Sequence, residues 1–268
     1  MLPVRVKHWG RLGVDPEYRR HHKELRRLRR IPRYTRTATP LLTRRIEMSD
    51  AASFLAMYQD LFEREIYRFA SAKDDPFIID GGSNIGLSVL YFKRLYPRSH
   101  IIAFEPDPEL FRLLEINCAT FELPEVELVN RALWTSETTL DFLQEGGEAG
   151  RLHEHDGTAR TVRVSAVRLK DYLRTDIDLL KLDIEGAETE VLRDCSDELS
   201  RVRRLFVEYH SFADRPQTLH EIAAIISRAG FRVHMHTVLP SPQPFVERSI
   251  NFGFDFQANI FAFRLSGP

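Results

Sequence analysis

From Phe77 onward the chain alternates short apolar runs with amphipathic helical patterns, and this rhythm restricts its fold more than any other feature. PFIID precedes a helical pattern from about Ile85 to Leu95, and HIIAFE precedes ELFRLLEINCATF. IDLLKLDIEG is followed by AETEVLRDC, and RRLFVEYH by TLHEIAAIISRAG, which Gly230 ends. VELVNRAL, FRVHMH and ANIFAFRL supply three further strands. Parallel strands need long crossovers, and helical crossovers cover both faces of the sheet. The expected fold is therefore α/β: a mostly parallel sheet between two helical layers.

Residues 135–166 break the rhythm. TTLDFL and TVRVSAV read as a pair of edge strands, and EGGEAGRLHEHDGTA between them as a flexible loop. His153, His155 and Asp156 in that loop offer substrate or metal ligands, although a solvated loop that orders over substrate is the preferred reading. Phe245, Phe252, Phe254 and Phe256 form a late aromatic series. They serve either as core or as an apolar wall for a ligand, and core packing is favoured.

Ahead of the alternating region the composition changes. Residues 1–45 carry about 14 Lys+Arg against about 3 Asp+Glu, so the net charge of -1 conceals an acidic remainder. YRRHHKELRRLRR is the densest stretch, and Pro32 and Pro40 separate it from the downstream chain. We expect residues 1–45 to be a basic N-terminal extension outside the main core, supporting a homo-oligomer, with residues 46–268 forming the main domain. For the charge run itself a solvated basic helix or loose arm is the preferred reading. No aromatic or zinc-finger pattern accompanies it, so nucleic acid is not the expected partner. Ser49 and Asp50 offer N-caps to a helix beginning at AASFLAMYQDLFEREIYRF.

No apolar run approaches the roughly 18 residues of a membrane span. The two cysteines, Cys118 and Cys195, lack the spacing of a zinc or redox pair. With no secretory pattern at the N-terminus, a cytoplasmic protein is expected.

Ligands of such sheets bind beyond the carboxyl ends of the strands, where the strand order reverses. The residues placed there are Asp80, Glu105, Asn130, Asp183 and Glu208, four of them carboxylates. Asp80 opens the turn DGGSNIG, whose glycines do not follow G-x-G-x-x-G. An acid immediately before the turn would repel a pyrophosphate but suits a cationic group, such as the amino group of S-adenosylmethionine. The ligand's carboxylate would then meet free N–H groups at the helix start. Glu105, about 25 residues later, is placed to accept both hydroxyls of a ribose.

DGGSNIG, FEPDP, VNRAL and above all KLDIEGAE resemble the FkbM family of S-adenosylmethionine-dependent methyltransferases, over about Ala51 to Glu208. Members commonly carry valine and alanine where this chain has Gly81 and Ser83. The resemblance implies a Rossmann-like, seven-stranded class I methyltransferase sheet. It also implies O-methylation of sugars, polyketides or other secondary metabolites. Carried over by position, it puts Asp80, Gly82, Ser83, Asn84 and Gly86 around the methionine part of the cofactor. Glu105 would meet the ribose, and Asn130 and Ala132 would lie near the adenine.

A sulfonium methyl is already activated, so the protein must chiefly align it with an acceptor oxygen and take up a proton. Asp183, Glu208 and His210 are the candidate catalytic residues, the last two sharing one strand face. The same three are candidate ligands for Mg²⁺ or Mn²⁺, and His210 alone could equally be a packed histidine. Two other readings stay open: an NAD-dependent oxidoreductase on a similar sheet, and a non-catalytic binding protein with a relic pocket. The acceptor is expected to be a small molecule or carbohydrate.

Overall fold

Asp15 accepts from the backbone N–H groups of Glu17 and Tyr18 and so caps helix α1 (Pro16–Leu28), in a computed structural model that describes residues 15–144, 150–152, 160–238, 241, 243–247, 250 and 253–265. A hairpin of β1 (Thr37–Leu42) and β2 (Arg44–Met48) comes next. Asp50 caps α2 (Ala51–Tyr58) through the Ser53 N–H, after which Gln59–Glu63 widens into a π-helical turn. The sequence pattern suggested one longer helix. The chain leaves it because Arg64 N–H reaches back five residues to the Gln59 carbonyl, and Glu65 then adopts a φ of 54°.

The alternating region forms β3 (Phe77–Gly81), α3 (Leu87–Leu95), β4 (His100–Phe104), α4 (Pro108–Thr120) and β5 (Val126–Val129). Asn130 and Arg131 then turn the chain into β6 (Ala132–Trp134), so the single strand expected for VELVNRAL is shared between two sheets. β7 (Thr138–Gln144), β8 (Gly150–Leu152) and β9 (Arg160–Arg168) complete a four-stranded sheet of order β6-β9-β7-β8. The expected pairing of TTLDFL with TVRVSAV is present as antiparallel β7 and β9, which lie in this separate sheet.

The rhythm resumes with β10 (Leu179–Leu182), α5 (Glu188–Asp194), β11 (Arg204–Phe212), α6 (Leu219–Arg228), β12 (Arg232–Thr237) and β13 (Phe254–Phe263). The main sheet has seven strands in the order β12-β13-β11-β10-β3-β4-β5, and β13 alone runs antiparallel to both neighbours. β10 is buried at all four positions, as a central parallel strand should be. Ile79, Leu180, Leu182 and Val207 pack with α5 and α6 on one face. Ile78, Ile101, Leu179 and Phe206 pack with α2, α3 and α4 on the other.

The N-terminal segment departs from expectation. Within residues 1–45, Leu28 is buried in that second cluster, with Leu25 and Ile31 packed against it; Ile46 and Met48, of the expected main domain, are buried there too. Asn117 of α4 stitches the hairpin down: its Oδ1 accepts from Glu47 N–H at 2.8 Å, and its Nδ2 donates to Glu47 O at 2.9 Å and Ile85 O at 2.8 Å. Leu25, Leu28 and Ile31 form an apolar stripe three residues apart, which the surrounding arginines hide from a reading by composition.

Candidate active site

β3 leads outward to β4 and β5, and its other neighbour β10 leads to β11, so the strand order reverses between β3 and β10. At their carboxyl ends opens a cavity of about 450 Å³. Gly82, Asn84, Glu105 and Asp183 line its floor, and Leu133 and Phe142 of the small sheet close one side. Met57, Leu61, Ile66 and Tyr67, from α2 and the segment after it, form an apolar wall. Glu208, His210, Gln257 and Asn259 of β11 and β13 form a polar one.

The glycine turn differs from the expected anion cradle. Gly82 and Ser83 N–H both donate to the Phe104 carbonyl, at 3.0 and 2.9 Å. Asn84 N–H donates to Glu105 Oε2 at 2.8 Å, Ile85 N–H to Asn84 Oδ1 at 2.8 Å, and Gly86 N–H to the Ser83 carbonyl at 2.8 Å. Every amide from Gly82 to Gly86 is therefore engaged within the protein. Gly82 has φ +80° and lies so close to β10 that an added Cβ would sit 1.8 Å from the Asp183 carbonyl oxygen.

Asp80 does not face the cavity. It is fully buried, with Oδ2 accepting from Ser88 Oγ at 2.5 Å and Oδ1 lying 3.2 Å from Lys181 Nζ. Lys181 also donates to the Gly82 carbonyl at 2.6 Å and lies 3.5 Å from Asp183 Oδ2. Burial alone would lower its pKa, but Asp80 and Asp183 overcome that and hold it up at about 12. The acid before the turn is thus the buried counter-ion of Lys181, and Asp183 is the partner that reaches the cavity.

Glu105 accepts from two backbone amides, Asn84 N–H and Asp107 N–H, the latter at 2.9 Å on Oε1. Burial pushes its pKa up to about 8 against the pull of those amides. Asn130 Nδ2 donates to the Glu105 carbonyl at 2.8 Å, so Asn130 supports the loop rather than lining the cavity, whereas Ala132 does line it. Ser83 is buried, its Oγ bonded to the Asp80 carbonyl, and Gly86 caps α3 with φ +92°.

On the other wall, Glu188 in the first turn of α5 organises the KLDIEGAE turn. Its Oε1 accepts from Ile184 N–H at 3.1 Å and Gly186 N–H at 3.0 Å, and meets His210 Nδ1 at 3.2 Å. His210 Nε2 faces Glu185 Oε2 at 3.6 Å and Glu208 Oε1 at 3.9 Å. Burial by itself would lower the pKa of His210, yet Glu185 and Glu188 outweigh it and push it well above the ordinary value. Burial raises Glu208 to about 8, with Asp183 adding to the rise. Burial likewise drives Glu185 well above the usual carboxylate range, even beside His210.

The expected trio of Asp183, Glu208 and His210 is brought to one cavity, but Glu208 lies within β11 rather than at its end. Among the described residues, the grouping with metal-ligand character substitutes Glu185 for Glu208: one ligand atom each from Asp183, Glu185 and His210 lies within 4.8 Å of the others. Glu208 Oε1 instead accepts from Gln257 Nε2. The series of phenylalanines divides. Phe254 lines the cavity, with its ring 4.9 Å from that of His210; Phe256 packs on the core, and Phe245 is fully exposed. Phe252, His153, His155 and Asp156 lie outside the described residues.

Sequence reasoning missed Lys181, Glu185 and Glu188 as site residues, although all three stand in KLDIEGAE, at i, i+4 and i+7. Gln257 and Asn259 have no local signal. They reach the cavity only because β13 inserts antiparallel beside β11, pairing His210 with Gln257 and Glu208 with Asn259.

Residues 80–233, more than half of the chain, match the Methyltransferase FkbM domain. The chain belongs to the FkbM methyltransferase family. Among its relatives, Methyltransferase sdnD from Sordaria araneosa is 34% identical over 215 residues, covering 66% of this chain and 82% of sdnD. The 2-O-methyltransferase NoeI from Sinorhizobium fredii is 28% identical over 159 residues, covering 51% of this chain and 64% of NoeI. The solved structure of Methyltransferase FkbM from Methylobacillus flagellatus KT superposes with a TM-score of 0.51 at 13% identity. That match covers 77% of this chain and 48% of the other, and it shows the shared class I methyltransferase fold. Among the described residues no helix is long and apolar enough to cross a membrane.

Proposed function

We propose that this FkbM-family methyltransferase uses S-adenosylmethionine to methylate a hydroxyl group of a small-molecule acceptor. The observation that carries the reading is the charge and hydrogen-bond state of the cavity. Five carboxylates line it, Asp60, Glu105, Asp183, Glu185 and Glu208, against Arg33, Arg131, Lys181 and His210. Arg33 and Arg131 are already paired with Asp50 and Glu137, and Asp60 with Arg64. Glu185 Oε2 and Asn259 Oδ1 are buried there without a hydrogen-bond donor among the described residues. Such a site favours a cationic ligand with N–H or O–H groups to offer, and opposes a pyrophosphate. The residues present therefore fit the cofactor: Glu105 would hold the ribose, and Asn259 Oδ1 would accept from the methionine amino group.

When bound, S-adenosylmethionine supplies a methyl that leaves sulfur for the acceptor oxygen, with S-adenosylhomocysteine as the other product. Asp183 is placed to receive the hydroxyl proton, with Lys181 behind it. His210 and Glu208 orient the acceptor from β11, and Glu188 fixes the His210 ring. The acceptor classes methylated by the family, sugars and secondary metabolites, extend to this chain as part of the proposal, supported by the relative named a 2-O-methyltransferase.

Calorimetry with S-adenosylmethionine, S-adenosylhomocysteine and NAD tests the reading. Heat with both sulfur ligands and none with NAD is expected; heat with NAD alone would return the site to the oxidoreductases. A second reading rests on the Asp183, Glu185 and His210 grouping, which offers two oxygens and one nitrogen to Mg²⁺ or Mn²⁺. Such an ion would lower the acceptor's pKa in place of a base.

A further inference from the structure

Tyr34 is a tyrosine in a conformation that disfavours tyrosine. Its φ is 59°, in the left-handed region, and its side chain is 55% exposed. Both the strained backbone and the bare ring carry a cost, and no buried packing of the ring offsets it. Nevertheless a buried carboxylate is committed to holding it there. Asp50, whose side chain is completely enclosed, accepts from Tyr34 N–H at 2.8 Å on Oδ1, and from Ser53 N–H at 2.9 Å and Ser53 Oγ at 2.7 Å on Oδ2. Arg33 Nε lies 3.0 Å from the same Oδ2, and its guanidinium stacks 5.0 Å from the centre of the Tyr34 ring. Arg33 and Tyr34 both line the active-site cavity. Met57 and Ile66 line the same cavity, as do Glu208 and His210 of β11 and the amides Gln257 and Asn259 of β13.

We propose that Tyr34 is a preformed platform for the acceptor, and that the acceptor presents a flat apolar or aromatic body to it while its hydroxyl reaches the polar wall. This rests on the methyl-transfer reading of the cavity. The positive charge of Arg33 is already met by Asp50, so the corner offers a ring face rather than an anion site. An aromatic face backed by a cation is rigid, costs little to order and suits a planar apolar partner. Met57, Leu61, Ile66 and Tyr67 add apolar surface to the same cavity that Asp183 and Glu208 line. A fully polyhydroxylated acceptor would leave this surface unmatched.

The test compares wild type, Tyr34→Gly and Tyr34→Phe, with 2-naphthol as the acceptor probe and S-adenosylhomocysteine as the cofactor probe. Glycine relieves the left-handed backbone and keeps the N–H for Asp50, so Tyr34→Gly is expected to melt at or above the wild-type temperature. It should bind S-adenosylhomocysteine within about twofold of wild type, yet bind 2-naphthol at least about fivefold more weakly by fluorescence titration. Tyr34→Phe, which keeps the ring, should match wild type in all three measurements. The platform is overturned if wild type shows no saturable 2-naphthol binding, if Tyr34→Gly binds it as tightly, or if Tyr34→Gly melts well below wild type. Absence of heat with S-adenosylhomocysteine in wild type would sink the methyl-transfer reading instead, and the 2-naphthol titration of the cofactor-free protein would still decide the platform.

Discussion

Glu188 Oε1 holds His210 Nδ1 at 3.2 Å while the same oxygen ties down the amides of Ile184 and Gly186. One carboxylate oxygen in the first turn of α5 thereby sets both the shape of the KLDIEGAE turn and the direction of the His210 ring. Glu188→Ala should leave these donors without an acceptor and destabilise the protein by about 2–4 kcal/mol in denaturant melts. Glu188→Gln keeps an oxygen acceptor and should lose roughly half as much. Equal losses for the two variants would show that the oxygen is not what the turn depends on.

Gly82 and Gly86 both have positive φ, but their neighbours differ. A Cβ on Gly82 would meet the backbone oxygen of Asp183, which cannot move without disturbing β10; a Cβ on Gly86 would meet Leu114 Cδ1 at 2.7 Å, the tip of a flexible side chain. Gly82→Ala should cost more than about 3 kcal/mol and Gly86→Ala about 1–2 kcal/mol, read as shifts in urea midpoint. The reverse order would contradict the packing described.

Glu105 makes the cofactor-free protein sensitive to pH. Its folded-state pKa of about 8 lies above the ordinary value of 4.5, so the folded state binds the proton more tightly than the unfolded one. The associated stability is present in full below about pH 4.5 and is lost as the pH rises through about 8. Melting temperatures taken at intervals from about pH 5.5 to 8.5 should fall steadily, and the fall should be shallower in Glu105→Gln. Glu208, also raised to about 8, keeps the slope from vanishing. Glu105→Ala should weaken S-adenosylhomocysteine binding by about 1.5–3 kcal/mol.

Asp183→Asn distinguishes the proton acceptor from a metal-held site. With Asp183 as base, kcat should fall by about 10²–10⁴ while S-adenosylhomocysteine affinity is retained, and exhaustive chelation of wild type should leave turnover unchanged. Loss of turnover on chelation, restored by Mn²⁺, would assign Asp183, Glu185 and His210 to an ion.

Leu28→Ala tests whether helix α1 belongs to the main core. The side chain is 1% exposed within the α2, α3 and α4 cluster, so truncation should cost about 2–4 kcal/mol in a single cooperative transition. A loose arm would tolerate it without effect.

Much of this architecture was legible in the sequence because period and burial coincide. LLKL and FIID are apolar throughout most of their length, as central strands covered on both faces must be, and DGGSNIG and KLDIEGAE fall at the ends of adjacent strands. Charge roles were less legible. Asp80 was readable as an acid beside the turn, but its direction depends on Lys181, contributed from about 100 residues away through the pairing of β3 with β10. Gln257 and Asn259 carried no signal at all, since only strand insertion brings them across from His210 and Glu208. Leu28 was obscured by its arginines.

The missing methyl group at Gly82 has a consequence for how this protein can change. The turn after β3 and the end of β10 touch backbone to backbone at that point. Lys181 bridges the same two segments from below, through the Gly81 and Gly82 carbonyls. The turn on the cavity floor and the segment that carries Asp183 are therefore one mechanical part. Neither can be grafted, shuffled or randomised alone; a library that varies DGGSNIG must carry its own KLDIEGAE, whereas the β13 wall and the Arg33–Tyr34 corner can be exchanged around it.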